Sequence, residues 1–422
     1  ILVLVAGQLS AQMVAKSEAG PFLLRNATIH TITSGDFTGD LYIKDDKIVQ
    51  LGVNLRPEGK YTTIDCSGKH IYPGMIDAGT QLGLSEIESI SVTNDFNEVG
   101  DLVPQMQALT AVNPNAVTIP VTRTNGITTA LVAPKGGRFP GTAAVIDLHG
   151  YTPEQMDAGF KGVVMNFPSS GRRGRWDRRS DEDIKKDSEK ALKKLDEIWA
   201  DAVLYAKIDS AANSQKTQIT GYQPEMEALK SVINKTTLLL VEVNKSSDIL
   251  LAIDWIKKTG VKAVLTGVAE GYRVASKIAE AGLAVITGPV LDTPRREYDK
   301  YDAPYTNAAV MFKAGIKVAI RTDEAENVRN LPFNAGFAAA YGLGKEEALR
   351  AITIVPAEIL GMADRYGSIE PGKVANLLIC NGDPLETKTI VEHLFIRGWK
   401  IPMENRHTLL YDEFLKRSPG LK

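Results

Sequence analysis

The chain has 422 residues, of which 44% are hydrophobic, and its 49 Lys and Arg residues nearly balance its 51 Asp and Glu residues. This composition excludes a disordered protein, which would have fewer apolar residues and a larger net charge than −2. The near-zero net charge gives no support for nucleic-acid binding. The length predicts two or three domains, or one large barrel with an attachment.

The two cysteines are too few for a disulfide framework. Cys66 and Cys380 could pair in an oxidising compartment, but buried free thiols fit the sequence equally well.

The first eleven residues are similar to the end of a secretory signal. Residues 1–6 are all apolar, and the small residues Ser10 and Ala11 precede a polar stretch, as they do at a signal-peptide cleavage site. We therefore predict that residues 1–11 are a signal-peptide remnant of a protein exported to the periplasm or the extracellular space. The alternative is an edge strand or a hydrophobic N-terminal plug. We expect no membrane span, because no later apolar run is long enough to form one.

Short apolar runs alternate with polar turns in both terminal segments, which predicts small β-structures at the two ends of the chain. These runs occupy residues 22–24, 27–29, 41–43, 48–51, 375–380 and 391–401.

Strand-like and helical patterns alternate in the middle of the chain. The strand-like runs are residues 71–77, 128–132, 163–167, 238–243, 263–268, 283–286 and 318–322. Residues 246–259 have an apolar helical face and are followed by Gly260 as a stop signal. Residues 143–148 predict either a further strand or a hairpin excursion. The alternation favours an α/β barrel, although a doubly wound open sheet would give a similar pattern.

An arginine-rich loop at residues 172–179 interrupts this pattern. Five arginines surround Trp176, and a charged helix with an apolar stripe is predicted to follow from residue 181. Such a cluster could bind phosphate or nucleic acid. We favour a solvated loop whose arginines pair with the acidic residues Asp177, Asp181, Glu182 and Asp183, and we expect no nucleic-acid partner.

Several motifs together carry a family resemblance. Residues 68–77 read GKHIYPGMID, residues 356–361 read PAEILG, and residues 367–377 read GSIEPGKVANL. With RTD at 321–323 and RNLPF at 329–333 between them, the chain resembles the amidohydrolase superfamily, in its imidazolonepropionase-like branch. The motifs occur in the expected order over nearly the whole chain.

The resemblance implies a fold, domain boundaries and a chemistry. The fold class is α/β, with a TIM-like (β/α)8 barrel over residues 72–364 and a small β-sandwich formed jointly by residues 21–71 and 365–422. Members of the family hydrolyse carbon–nitrogen bonds, chiefly in amides and cyclic amides. They use one or two divalent metals, usually zinc, which lower the pKa of bound water and polarise the carbonyl.

The positions that match the metal ligands of the family mostly lack those ligands. Gly79 and Gln81 stand where the family has two histidines on one face of the first barrel strand. Glu242 and Gly267 match the histidines of the fifth and sixth strands, and Asp323 alone keeps the expected residue, the aspartate of the last strand. The histidines of the chain lie elsewhere, at His30, His70, His149, His393 and His407.

Two functional hypotheses follow from these residues. The first is a catalytically silent protein retained for binding or assembly, because a lone carboxylate lacks the electrophilic half of the reaction. In that case no cofactor is expected, Asp323 pairs with Arg321 or Arg329, and Glu242 pairs with a nearby base. The alternative is an active hydrolase with Asp323 as its catalytic residue. Its metal would be magnesium, calcium or manganese on Gln81, Glu242 and Asp323, and zinc is not expected on such oxygen ligands.

The substrate is not predicted, because specificity in barrel enzymes lies in the loops. We expect an oligomer, for which an active relative is a candidate partner.

Overall fold

A computed structural model describes residues 16–171, 177–214, 221–294, 296 and 298–417. The predicted signal remnant at residues 1–11 and three arginines of the loop, at positions 172, 173 and 175, lie outside the described residues.

The strands are β1 (Phe22–His30), β2 (Asp36–Lys44), β3 (Lys47–Gly52), β4 (Thr62–Asp65), β5 (His70–Pro73), β6 (Met75–Thr80), β7 (Ile127–Val132), β8 (Gly141–Asp147), β9 (Asp157–Asn166), β10 (Leu238–Val243), β11 (Ala263–Gly267), β12 (Val285–Thr287), β13 (Val318–Ile320), β14 (Leu377–Cys380), β15 (Val391–Ile396) and β16 (Trp399–Ile401). The helices are α1 (Ala108–Ala111), α2 (Thr118–Arg123), α3 (Pro153–Met156), α4 (Asp181–Ser214), α5 (Pro224–Ile233), α6 (Ser246–Thr259), α7 (Ala275–Glu280), α8 (Ala303–Lys313), α9 (Leu331–Ala338), α10 (Lys345–Arg350), α11 (Ile354–Ile359) and α12 (Arg406–Arg417).

One sheet joins the two terminal segments of the chain. Its strand order is β16-β15-β14-β5-β1-β2-β3, and β4 pairs with β1. The segments meet where β14 runs antiparallel to β5, with Leu378 opposite Tyr72. Phe22 and Phe395, which come from opposite ends of the chain, pack edge to face with ring centroids 5.2 Å apart. The terminal β pieces therefore share one apolar core.

The second sheet is a barrel of eight strands in the order β13-β12-β11-β10-β9-β8-β7-β6. The segment after β13 closes it against β6, because the Asp323 amide donates to the Gly79 carbonyl and the Gln81 amide to the Glu324 carbonyl, each at 3.0 Å. The prediction of an α/β protein with a TIM-like barrel and a separate terminal β-structure is confirmed. The barrel departs from a regular (β/α)8 order at β8, which lies between β7 and β9 and is antiparallel to both. Residues 143–148 are thus a barrel strand reached by a hairpin.

The helices around the barrel follow the apolar patterns of the sequence. Helix α6 spans the predicted residues, buries Ile249, Ile253 and Ile256, and ends at Gly260 with a φ of 66°, a left-handed cap that glycine adopts without a Cβ clash. Helix α4 begins at Asp181 with three acidic residues in its first turn, which suits the positive end of the helix dipole. Among the described helices, none has both the length and the apolar composition needed to cross a membrane.

A buried polar network ties the C-terminal tail to the amino ends of the barrel strands. Asp147 is fully buried at the end of β8. It accepts hydrogen bonds from Arg397 Nε at 2.6 Å, Asn376 Nδ2 at 2.8 Å, the Tyr366 hydroxyl at 2.9 Å and Thr129 Oγ1 at 3.0 Å. This carboxylate is therefore a structural link between the two sheets.

The structure also shows the partners of Arg179 in the arginine-rich loop and the state of the two cysteines. Arg179 contacts Asp177 at 2.6 Å and Asp187 at 2.7 Å. Cys66 and Cys380 are buried free thiols, and burial raises their pKa values to about 12 and about 11, respectively.

Candidate functional site at the barrel mouth

The candidate site is a cavity of about 320 Å³ at the carboxyl ends of the barrel strands, where barrel enzymes carry their sites. Strands β9 and β10 each direct alternate residues into it, Val164 with Asn166 and Leu240 with Glu242, as the two-residue period of a strand requires. The full lining is Ala78, Gly79, Gln81, Leu131, Ala133, Pro134, Lys135, Gly136, Val164, Asn166, Leu240, Glu242, Thr266, Arg321 and Asp323.

Arg321 lies at the centre of the mouth and forms a two-pronged ion pair with Glu242. Its Nη1 is 2.9 Å from Glu242 Oε2 and its Nη2 donates to Glu242 Oε1 at 2.9 Å. Thr266 Oγ1 at 2.8 Å and Asn244 Nδ2 at 3.0 Å also donate to this carboxylate. Burial alone would raise the pKa of Glu242, but the charge and hydrogen bonds of Arg321, with those two donors, hold it below the usual value. Glu242 is therefore a fully engaged anion.

Asp323 lies at the edge of the same mouth and is shared between two cations. Its Oδ1 is 3.2 Å from Lys135 Nζ, and its Oδ2 is 3.6 Å from Arg321 Nη2. Burial would lower the pKa of the Arg321 guanidinium, but the charges of Glu242 and Asp323 raise it above the usual value. Arg321 Nε is buried without a hydrogen-bond partner among the described residues. Two carboxylates, Glu242 and Asp323, and two cationic side chains, Arg321 and Lys135, thus lie together at the mouth.

The two glycines that match family histidines are closely surrounded. A Cβ at Gly79 would lie 2.8 Å from Arg321 Cδ. Gly267 has a φ of 80°, and a Cβ there would lie 2.4 Å from Glu242 Oε1 and 2.5 Å from Asn244 Oδ1. Because the space of both missing side chains is filled by the Arg321–Glu242 pair and Asn244, neither position can accept a histidine without rearrangement.

The carboxylate of Asp77 has a structural role in the barrel. It is fully buried and accepts hydrogen bonds from the Gly79 amide at 3.0 Å, the Thr322 amide at 3.2 Å and the Thr322 hydroxyl. Burial raises its pKa to about 7, against the opposing effect of these donors. Asp77 thereby joins β6 to the segment after β13.

The residues of the mouth do not fit the divalent metal that the family resemblance implies. Within the described part of the chain, no group of three or more His, Cys, Asp and Glu side chains is arranged to hold a metal ion. Both oxygens of Glu242 are occupied by the Arg321 guanidinium. A cation at that point would also repel the guanidinium, whose side chain is only 9% exposed and has little bulk water to screen it.

The structure brings most of the sequence-derived candidates together. Gly79, Gln81, Glu242 and Asp323 all line the cavity, whereas Gly267 lies beside it and lines a neighbouring one. The proposed roles of these residues as metal ligands stay a prediction. Arg321 was considered as a partner of Asp323, but its shorter contacts are with Glu242.

Sequence reasoning missed three polar residues of the lining, Lys135, Asn166 and Thr266. Each lies at or near the carboxyl end of a barrel strand. A polar residue in that position is a candidate site residue in a barrel enzyme, and this rule would have identified all three.

The family model described as "Amidohydrolase family" matches residues 71–400. Among curated proteins, the chain is similar to an imidazolonepropionase of Symbiobacterium thermophilum, with 33% identity over 108 residues that cover 25% of this chain and 24% of that protein. It is also similar to the imidazolonepropionase of Flavobacterium johnsoniae, with 42% identity over 82 residues that cover 18% and 20%. The matched segments thus span about a quarter or less of these relatives' length.

Among solved structures, the crystal structure of an amidohydrolase from Thermotoga maritima MSB8 is similar over 91% of this chain and 100% of that chain. The TM-score is 0.81 and the sequence identity is 26%.

Proposed function

The chain belongs to the amidohydrolase family, as its motifs predicted, and we propose that it is a catalytically silent member whose barrel mouth binds a small polar molecule. The observation that carries this proposal is the Arg321–Glu242 ion pair, which fills the place where the family resemblance implies a metal. Amide hydrolysis needs both an activated water and an electrophile that stabilises the developing oxyanion.

The acids of the mouth are poor candidates for a general base. Glu242 receives four donors, and its pKa is held below the usual value, so its affinity for a proton from water is low at neutral pH. Asp323 lies between Lys135 and Arg321. Asp77 has a raised pKa but is fully buried and does not line the cavity.

Binding is supported by the shape and chemistry of the same cavity. Its volume of about 320 Å³ is at the lower end of the range for small-molecule sites. Apolar side chains such as Leu131 and Leu240 line the cavity together with polar ones such as Gln81 and Lys135. A largely apolar lining with a few polar groups is typical of sites that bind small molecules.

The test is metal analysis of the purified protein combined with a hydrolysis screen on amides, cyclic amides and dipeptides, with and without added zinc, manganese and magnesium. We expect less than one equivalent of bound metal and no rate above that of buffer. Turnover that depends on an added metal, and that is lost in Asp323→Asn, would overturn the proposal.

The second candidate function is the active hydrolase with oxygen ligands. Its support is that Gln81, Glu242 and Asp323 line one cavity, and it requires Arg321 to leave Glu242. The same screen tests it, because only this hypothesis expects a chelator to abolish the rate.

Assembly into an oligomer, with an active relative as a candidate partner, and export after removal of residues 1–11 are further proposals. Light scattering and intact-mass analysis of protein from its native compartment test them.

A further inference from the structure

We propose that Arg321 is a built-in substitute for the metal. Its guanidinium supplies the positive charge that holds Glu242 and Asp323 in the mouth, and its removal creates a site for a hard divalent cation. This inference rests on the proposed function and deepens it, because it states what keeps the mouth in its silent form.

Arg321 balances the charge of the two carboxylates in the mouth. Arg321 is the more deeply buried of the two cations, with a side chain 9% exposed, whereas that of Lys135 is 43% exposed. The guanidinium contacts Glu242 with two nitrogens and lies within 3.6 Å of Asp323. A paired, planar geometry of this kind makes the strongest class of ion pair in proteins. Loss of the guanidinium leaves two carboxylates on one cavity with a single, half-exposed amine.

Arg321 also occupies the space beside Gly79. The aliphatic part of Arg321 passes directly over Gly79, since an added Cβ would be 2.8 Å from Cδ and 3.6 Å from the Arg321 Cβ. A histidine at position 79 and an arginine at position 321 in this conformation therefore exclude each other. Glycine at position 79 therefore leaves the space that the Arg321 side chain occupies, and the mouth is arranged around the guanidinium.

Oxygen ligands for a cation remain in the mouth when the guanidinium is gone. Thr266 and Asn244 still donate to Glu242, so its carboxylate stays oriented toward the cavity. Gln81 and Asp323 line the same cavity. Carboxylate and amide oxygens are the ligands preferred by calcium, magnesium and manganese. Such a site would be weak, because it has few protein ligands.

The experiment compares the unmodified protein with Arg321→Met, which keeps the aliphatic length of the side chain and removes its charge. Removing one partner of a buried pair is strongly destabilising, and for a chain of this size we expect the melting temperature to fall by about 3–6 °C. Calcium chloride at about 10 mM should raise the melting temperature of the variant by about 2 °C, as a dissociation constant near 1 mM predicts. The unmodified protein should not respond.

Two control variants separate charge replacement from general effects of salt. Arg321→Met combined with Glu242→Gln should be more stable than Arg321→Met alone, because no unpaired carboxylate is left at the centre, and it should not respond to calcium. Lys135→Met removes the other cation of the same cavity. Because the amine of Lys135 is half-exposed, the melting temperature of this variant should change little, and calcium should not raise it.

The inference is overturned if folded Arg321→Met responds to calcium no more than the unmodified protein, or if the double variant responds as strongly. Where Arg321→Met does not accumulate as folded protein, the refolding yield replaces the melting temperature, and equal yields with and without calcium overturn the inference. Amide turnover by the unmodified protein would refute the silent function and leave the calcium result unaffected, so the two failures are distinguishable.

Discussion

Gly267→Ala tests whether the space of the sixth-strand histidine is filled. The added Cβ would lie 2.4 Å from Glu242 Oε1, a contact that real Cβ atoms do not make, on a backbone with a φ of 80°. A left-handed backbone costs a non-glycine residue about 1–2 kcal/mol. Crowding in a packed interior adds about 1–3 kcal/mol. The total loss of unfolding free energy is therefore about 2–5 kcal/mol, which corresponds to a fall in melting temperature of about 2–5 °C for a chain of this length.

The matched control is Gly282→Ala. Gly282 has a φ of 67°, and nothing lies within 4 Å of an added Cβ, so this variant should lose only the backbone cost of about 1–2 kcal/mol. Urea unfolding followed by far-ultraviolet circular dichroism measures both variants. If they lose the same free energy, the space beside Glu242 is open, and the argument that Arg321, Glu242 and Asn244 exclude the family histidines fails.

Three other predictions concern the frame of the protein. Burial, with the charges of nearby arginines, lowers the pKa of His149 to about 4, whereas the unfolded chain titrates near 6.5. The unfolded state therefore binds more protons between these values, and stability should fall by about 2 kcal/mol, discounted for partial exposure, as the pH drops from 6.5 through 4; the urea midpoint should shift less in His149→Gln. Asp147→Ala removes a fully buried acceptor from Asn376, Tyr366 and the partly exposed Arg397, and it should cost about 3–5 kcal/mol in urea unfolding. A loss below about 1 kcal/mol would contradict the structural role of the network. The raised pKa values of Cys66 and Cys380 predict slow reaction with a thiol reagent at pH 8 and fast reaction after unfolding, so rapid labelling of the native protein would contradict their burial.

The sequence by itself determined the elements whose pattern is local. The apolar period at 246–259 and the glycine that follows defined helix α6 to its observed bounds, because helix formation depends on neighbours three and four residues apart. The terminal apolar runs predicted β1, β2, β3, β14, β15 and β16 of the first sheet, but not β4 or β5. The ordered motifs predicted the family, since they lie in short contiguous segments.

Only the tertiary structure decided how distant segments pair. Residues 143–148 could be a strand or an excursion by sequence, and their place between β7 and β9 depends on the register of both neighbours. The cores that the two chain ends share with each other and with the barrel likewise depend on packing across the whole chain.

The mouth shows the same division. The sequence showed that Gly79 and Gln81 replace the family histidines. It also placed a carboxylate at Glu242, for which a basic partner was expected. The identity of that base was not, because Arg321 lies 79 residues further along the chain and meets Glu242 only when the barrel closes. The sequence suggested Arg321 only as a partner of Asp323, which lies two residues away. In the closed barrel the Arg321 guanidinium is 2.9 Å from Glu242 and 3.6 Å from Asp323, so its main partner is Glu242. Strand order and register depend on the packing of the whole sheet, and a local sequence pattern cannot predict this contact.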